Sequence, residues 1–167
     1  MNLLACTLGR YERFVKWDYD GTPSKVQTSE NRRRCAYGRG ASTLPDRKTV
    51  IVVDDDPDML KGLHRLLKHH GFKVTAFDSV ESFQNRADLN AAFCIVLDVN
   101  LGDGSGIELR RRLSERGNSL PIIFITGNDS DATRAAALQS GCAAYLAKPF
   151  TAQSLIEPIR RASAALT

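Results

Sequence analysis

The chain has 167 residues, 43% hydrophobic and 25% charged, the balance of one ordinary globular domain plus a tail. No run approaches the roughly 18 consecutive apolar residues that a bilayer span requires, and Met1–Arg10 lacks the basic start and small-residue cleavage site of a signal peptide. The formal net charge of +4 is unevenly held: residues 1–48 carry 10 Lys or Arg against 5 Asp or Glu, whereas residues 49–167 carry 13 against 14.

Residues 1–45 contain Gly21-Thr22-Pro23-Ser24, Arg32-Arg33-Arg34 and Gly38-Arg39-Gly40, with no sustained period of 2 or 3.6. So polar a segment predicts a disordered basic extension; a short docked helix carrying Leu3, Leu4, Phe14, Val15 and Trp17 is the alternative. The globular domain is expected at residues 46–167. Thr49–Val53 is a β-branched strand, and Pro57 after three aspartates opens a helix with Asp56 as its cap. Met59, Leu60, Leu63, Leu66 and Leu67 recur at helical spacing until Gly71, a natural stop. Phe72–Phe77 follows as a strand, Ser79–Arg86 as a short helix, and Phe93–Asp98 as an apolar strand ending in a carboxylate. Ile107–Arg116 is a helix, Pro121–Thr126 a strand, Ser130–Ser140 an alanine-rich helix stopped by Gly141, Ala143–Ala147 a strand and Ala152–Ala165 a final helix. Near-continuous apolar strands alternating with helices imply an α/β domain: a doubly wound, five-stranded parallel sheet covered by helices on both faces.

In such a sheet function collects at the carboxyl ends of the strands. Those ends carry Asp54-Asp55-Asp56, Asp98, Thr126 and Lys148. Gathered carboxylates repel unless a cation neutralises them, and a small divalent ion held by one or two carboxylates with a phosphate oxygen is the Mg²⁺ pattern. A lysine facing the same ion makes sense when a further anion sits between them, and a phosphoryl group fits. An aspartate as phosphoryl acceptor is then chemically reasonable.

Val52-Val53-Asp54-Asp55-Asp56, Val96-Leu97-Asp98-Val99-Asn100-Leu101, Ile123-Phe124-Ile125-Thr126-Gly127 and Ala147-Lys148-Pro149-Phe150 together resemble the response-regulator receiver domain of two-component signalling. Each motif alone is weak; four in order, each at a strand end, are strong, and they span about Lys48 to Ala165. The resemblance implies strand order 2-1-3-4-5. It implies Asp98 as the residue phosphorylated by a histidine kinase or histidine phosphotransfer protein. It also implies Asp54 and Asp55 as the acidic pair for Mg²⁺, with Asp98 and the backbone carbonyl of Asn100 on the metal. Thr126 and Lys148 would contact phosphoryl oxygens, Lys148–Pro149 would be cis, and Tyr145 would be the aromatic switch partner of Thr126. Asn100 and Asn128 occupy positions that modulate dephosphorylation in the family.

The chain departs from the family at Gly102, where Pro is usual, and the loop through Asp103-Gly104-Ser105-Gly106 should be loosened. Pro158 falls inside the last helix. Bland readings compete with each residue: an acidic run is usually a solvated loop, a strand-end Thr or Lys is often structural, and Tyr145 could be a static half-buried ring. Gly102-x-Gly104-x-Gly106 lacks the third glycine of a dinucleotide fingerprint, and Asp98-x-Asn100 lacks the glycine and terminal glutamate of a calcium loop. His64, His69 and His70 read as a solvated helix face, and Arg110-Arg111-Arg112 is too little for nucleic-acid binding, which is not expected. Cys6, Cys35, Cys94 and Cys142 form no C-x-x-C pair, which points to a reduced, cytoplasmic protein with no disulfide or zinc framework.

The expectation is a stand-alone response regulator, since few residues follow the last helix. It is no enzyme beyond its own phosphorylation and dephosphorylation, and it signals to a downstream protein target or along a phosphorelay, without a membrane. The alternatives are a receiver-fold binding module with a silent site and a haloacid-dehalogenase-type phosphatase. The latter requires a second aspartate where Asn100 stands.

Overall fold

The computed structural model describes residues 49–165; the expected extension at residues 1–45, and Cys6 and Cys35 within it, lie outside the described residues. The five main strands are β1 (Thr49–Val53), β2 (Lys73–Phe77), β3 (Ala92–Asp98), β6 (Ile122–Thr126) and β7 (Ala144–Ala147). They form one parallel sheet in the order β2-β1-β3-β6-β7, which is 2-1-3-4-5 when the main strands alone are counted. Two short strands, β4 (Asn100–Leu101) and β5 (Gly104–Ser105), pair antiparallel between β3 and the next helix.

The helices are α1 (Pro57–His69), α2 (Val80–Arg86), α3 (Gly106–Glu115), α4 (Asp131–Gln139) and α5 (Ala152–Ala164). Strand alternation sends Val50 and Val52 to one face and Ile51 and Val53 to the other. The first face is covered by Leu60, Leu63 and Leu67 of α1 and Leu155, Ile156 and Ile159 of α5. The second is covered by Phe83 of α2, Leu109 and Leu113 of α3 and Ala137 of α4. A register shift between Thr49 and Val50 against β3 breaks strict alternation, and Phe93 and Cys94, adjacent in sequence, both join the first face.

Local signals were followed closely at the helix ends. Asp56 caps α1, its carboxylate accepting from the N–H groups of Asp58 and Met59, with Pro57 in the first turn. Gly71 ends the helix at φ +85° and Gly141 follows α4 at φ +77°. Pro158 stands inside α5, which is continuous across it; the apolar face formed with Leu155, Ile156, Ile159 and Ala162 outweighs the lost hydrogen bond. The loop around Gly102 is tied down by the β4–β5 pair and by the Gly106 N–H, which donates to the Val99 carbonyl at 2.9 Å.

Candidate functional site

All the groups singled out at the strand ends lie at the carboxyl edge of the sheet, because parallel strands present their C-termini together. β1 runs into Asp54 and Asp55, β3 ends on Asp98, β6 on Thr126, and Lys148 directly follows β7. One oxygen each of Asp54, Asp55 and Asp98 lies within 4.8 Å of the others. Asp54 and Asp98 are buried and Asp55 is exposed, so the cluster opens to solvent on the Asp55 side. Three hard oxygen donors at this spacing suit a small divalent cation. Among the described residues no histidine joins such a cluster.

Lys148 lies between the carboxylates. Its Nζ donates to Asp54 Oδ2 at 2.7 Å and to Asp98 Oδ2. Burial opposes the ammonium charge, but the hydrogen bonds to Asp54 and Asp98 hold its pKa above the ordinary lysine value. Burial pushes the Asp54 carboxyl up, against the hydrogen bonds from Lys148 and from the Asp56 N–H. The acidic run is therefore divided in role: Asp54 faces inward, Asp55 faces the cluster from solvent, and Asp56 is a helix cap.

A hydrogen-bond chain leads from Asp98 to the neighbouring strand end. The Asn100 N–H donates to Asp98 Oδ1 at 3.0 Å, and Asn100 Nδ2 reaches Thr126 Oγ1 at 3.4 Å. The buried Thr126 hydroxyl donates to the Asn128 carbonyl at 3.2 Å and accepts from the Asn128 N–H at 3.1 Å. Tyr145 is not in this chain. Its hydroxyl donates to Asp129 Oδ1 at 2.9 Å, and Arg134 sits over its ring while pairing with Asp129 Oδ2 at 2.6 Å. Asp129 and Arg134 had no signal in the sequence, because the partners of Tyr145 lie 16 and 11 residues away on another element.

Lys148–Pro149 is cis. Cys94 and Cys142 are free, and burial pushes the Cys94 thiol up to about 12, as befits a core residue rather than a reactive one. Asn100 offers an amide at the position where a dehalogenase-type phosphatase needs a carboxylic acid, so it has no proton to give a leaving group.

Residues 50–160 match the model of the response regulator receiver domain. Among curated proteins the chain is 35% identical over 124 residues to the response regulator protein TmoT of Ectopseudomonas mendocina, covering 74% of this chain and 56% of that protein. It is also 35% identical over 125 residues to the transcriptional regulatory protein TdiR of Thauera aromatica, covering 74% and 55%. The chain thus spans about half the length of these relatives. Among solved structures it is similar to FixJ-N, with a TM-score of 0.63 and 32% identity over 73% of this chain and 98% of that one. A receiver protein from Pseudoalteromonas atlantica superposes with a TM-score of 0.68 at 26% identity, over 71% and 99% of the two chains.

Proposed function

Because the chain belongs to the response regulator receiver domain family, we propose that Asp98 accepts a phosphoryl group from a histidine kinase or a histidine phosphotransfer protein. The carrying observation is the Lys148 ammonium shared by the Asp54 and Asp98 carboxylates inside the acidic cluster. In the transfer one Asp98 oxygen bonds to phosphorus as the phosphorus–nitrogen bond of the donor's phosphohistidine breaks, and the imidazole leaves with the electron pair. Lys148 meets the charge on the phosphoryl oxygens, and Thr126 turns its hydroxyl proton from the Asn128 carbonyl to another of them. A bound Mg²⁺ would supply the remaining charge neutralisation, held by Asp54, Asp55, Asp98 and the Asn100 carbonyl; three clustered carboxylates fit that demand. Water attacking the acyl phosphate returns Asp98 and inorganic phosphate, beside Asn100 and Asn128.

Phosphorylation is read out through protein contacts, with Thr126 and Tyr145 as the moving pair, in a cytoplasmic protein of a phosphorelay or two-component pathway. Among the described residues no helix is long and apolar enough to cross a membrane. The test is intact-mass spectrometry after incubation with acetyl phosphate and Mg²⁺, beside Asp98→Ala. One base-labile phosphoryl adduct, absent without Mg²⁺ and absent from the variant, is expected. A folded wild type that takes neither an adduct nor beryllofluoride would instead establish the binding module with a silent site.

A further inference from the structure

We propose that Asp103, which lies outside the acceptor set, is a positioning residue for it: its carboxylate fixes the hairpin that presents Asn100 to Asp98. This role rests on reading the site as a cation-dependent phosphoryl acceptor. Asp103 Oδ1 accepts from the Val80 N–H and Oδ2 from the Glu81 N–H, each at 3.0 Å. These are the first two N–H groups of α2, which no carbonyl of that helix can serve. Of the α2 N–H groups, the hydroxyl of Ser79, the cap, serves that of Ser82 alone. With seven residues α2 is too short to hold its form alone, so helix and hairpin brace each other.

The hairpin tip is Gly102-Asp103-Gly104, and its two glycines leave the backbone almost unrestrained. Asp103 carries the only side chain in that tip. Its neighbours are packed where a side chain would crowd: a Cβ on Gly104 would stand 3.3 Å from Val80 Cγ2, and one on Gly102 would stand 3.3 Å from Asp55 Oδ2. The tip is therefore lodged between α2 and a carboxylate of the acidic cluster. Below it Asn100 pairs with Ser105 and Leu101 with Gly104, and the Asn100 N–H holds Asp98 Oδ1. Releasing Asp103 frees the tip, and through the pair it loosens both the N–H that orients the acceptor and the carbonyl assigned to the cation. The two N–H groups also hold the Asp103 carboxyl below the usual carboxylate range, so the brace persists further into acid than an unbonded aspartate would.

The experiment compares the whole chain with Asp103→Ala and Asp103→Asn. Mg²⁺ affinity is read by calorimetry, amide exchange of Val80 and Glu81 by NMR, and the folded state by melting temperature. Asparagine keeps one acceptor oxygen, loses the charge, and turns its NH2, a donor, toward the second N–H. The alanine variant is expected to bind Mg²⁺ about tenfold more weakly, as supporting residues of metal sites do when removed, with faster exchange at both amides. The asparagine variant is expected to fall between wild type and alanine, with slow exchange kept at one of the two amides and lost at the other. Equal losses in both variants with the Val80 and Glu81 amides still exchanging slowly would assign the effect to a distant charge and overturn the proposal, as would unchanged affinity in the alanine variant. Asp103→Ser, too short to reach both N–H groups, replaces alanine if that variant does not fold. A wild type that binds no Mg²⁺ overturns the proposed function and this role together. A wild type that binds, beside an alanine variant that binds equally, overturns this role alone.

Discussion

Asp54 is fully buried and its carboxyl pKa is raised, burial outweighing the hydrogen bonds from Lys148 and Asp56. A raised acid binds its proton more readily in the native state than in the unfolded one. Its contribution to stability is thus present at low pH and lost as the pH rises through the native value. Once ionised, buried Asp54 is a net cost to the fold. Asp54→Asn is therefore expected to stabilise the protein in chelator by on the order of 1 kcal/mol, while weakening Mg²⁺ affinity by more than about tenfold. Urea unfolding with chelator and with Mg²⁺ reads both. A loss of stability in chelator would show that the bond to Lys148 outweighs burial. A residue kept at such a cost is the kind that reading from sequence finds, because a carboxylate after TVIVV has no structural reason to be there.

At the scale of elements, two glycines make opposite forecasts. Gly62 lies exposed inside α1, and a Cβ there would meet nothing within 4 Å; Gly62→Ala is expected to stabilise by about 1 kcal/mol. Gly106 opens α3 where a Cβ would overlap the Asp98 carbonyl oxygen and stand 3.0 Å from Leu97 Cγ. Gly106→Ala is expected to destabilise by about 3 kcal/mol, and thermal melts of the pair check both. What was legible in the sequence follows the same divide. Runs such as Phe93–Asp98 and caps such as Asp56 announce themselves locally, and so did the strand-end set of Asp54, Asp98, Thr126 and Lys148. The β4–β5 pair did not, since two-residue strands have no period to detect. Nor did the clasp of Asp103 on α2, which joins residues 22 and 23 positions apart, or the register shift at Thr49, which only pairing with β3 reveals. Pro158 sits inside α5 as the sequence placed it, and packing on the sheet keeps the helix continuous across it.

For the molecule as a whole, acid acts through opposing groups. The Arg111 hydrogen bond, aided by Arg112, draws the Glu108 carboxyl down to about 2. Asp103 is lowered by the N–H groups of Val80 and Glu81, and Asp129 is lowered by Arg134. Lowered acids contribute stability that is complete above their unfolded values and lost as the pH falls through the native ones; Asp54 works in the opposite sense. The urea midpoint in chelator is expected to fall between about pH 5 and about pH 2.5, and to fall more steeply in Asp54→Asn, where the opposing group is gone. Added salt should flatten the decline, because Glu108 and its arginines lie in solvent. A different set of charges, at the strand ends, bears on the proposed phosphoryl transfer. The pocket gathers three carboxylates and one ammonium, which bridges two of them, so on the proposed reading it would repel a phosphoryl donor until a cation is bound. The expected order of productive encounters is then sequential, the divalent ion first and the donor second. Stopped-flow mixing with the cation already on the protein should abolish a lag that mixing it in with the donor reveals.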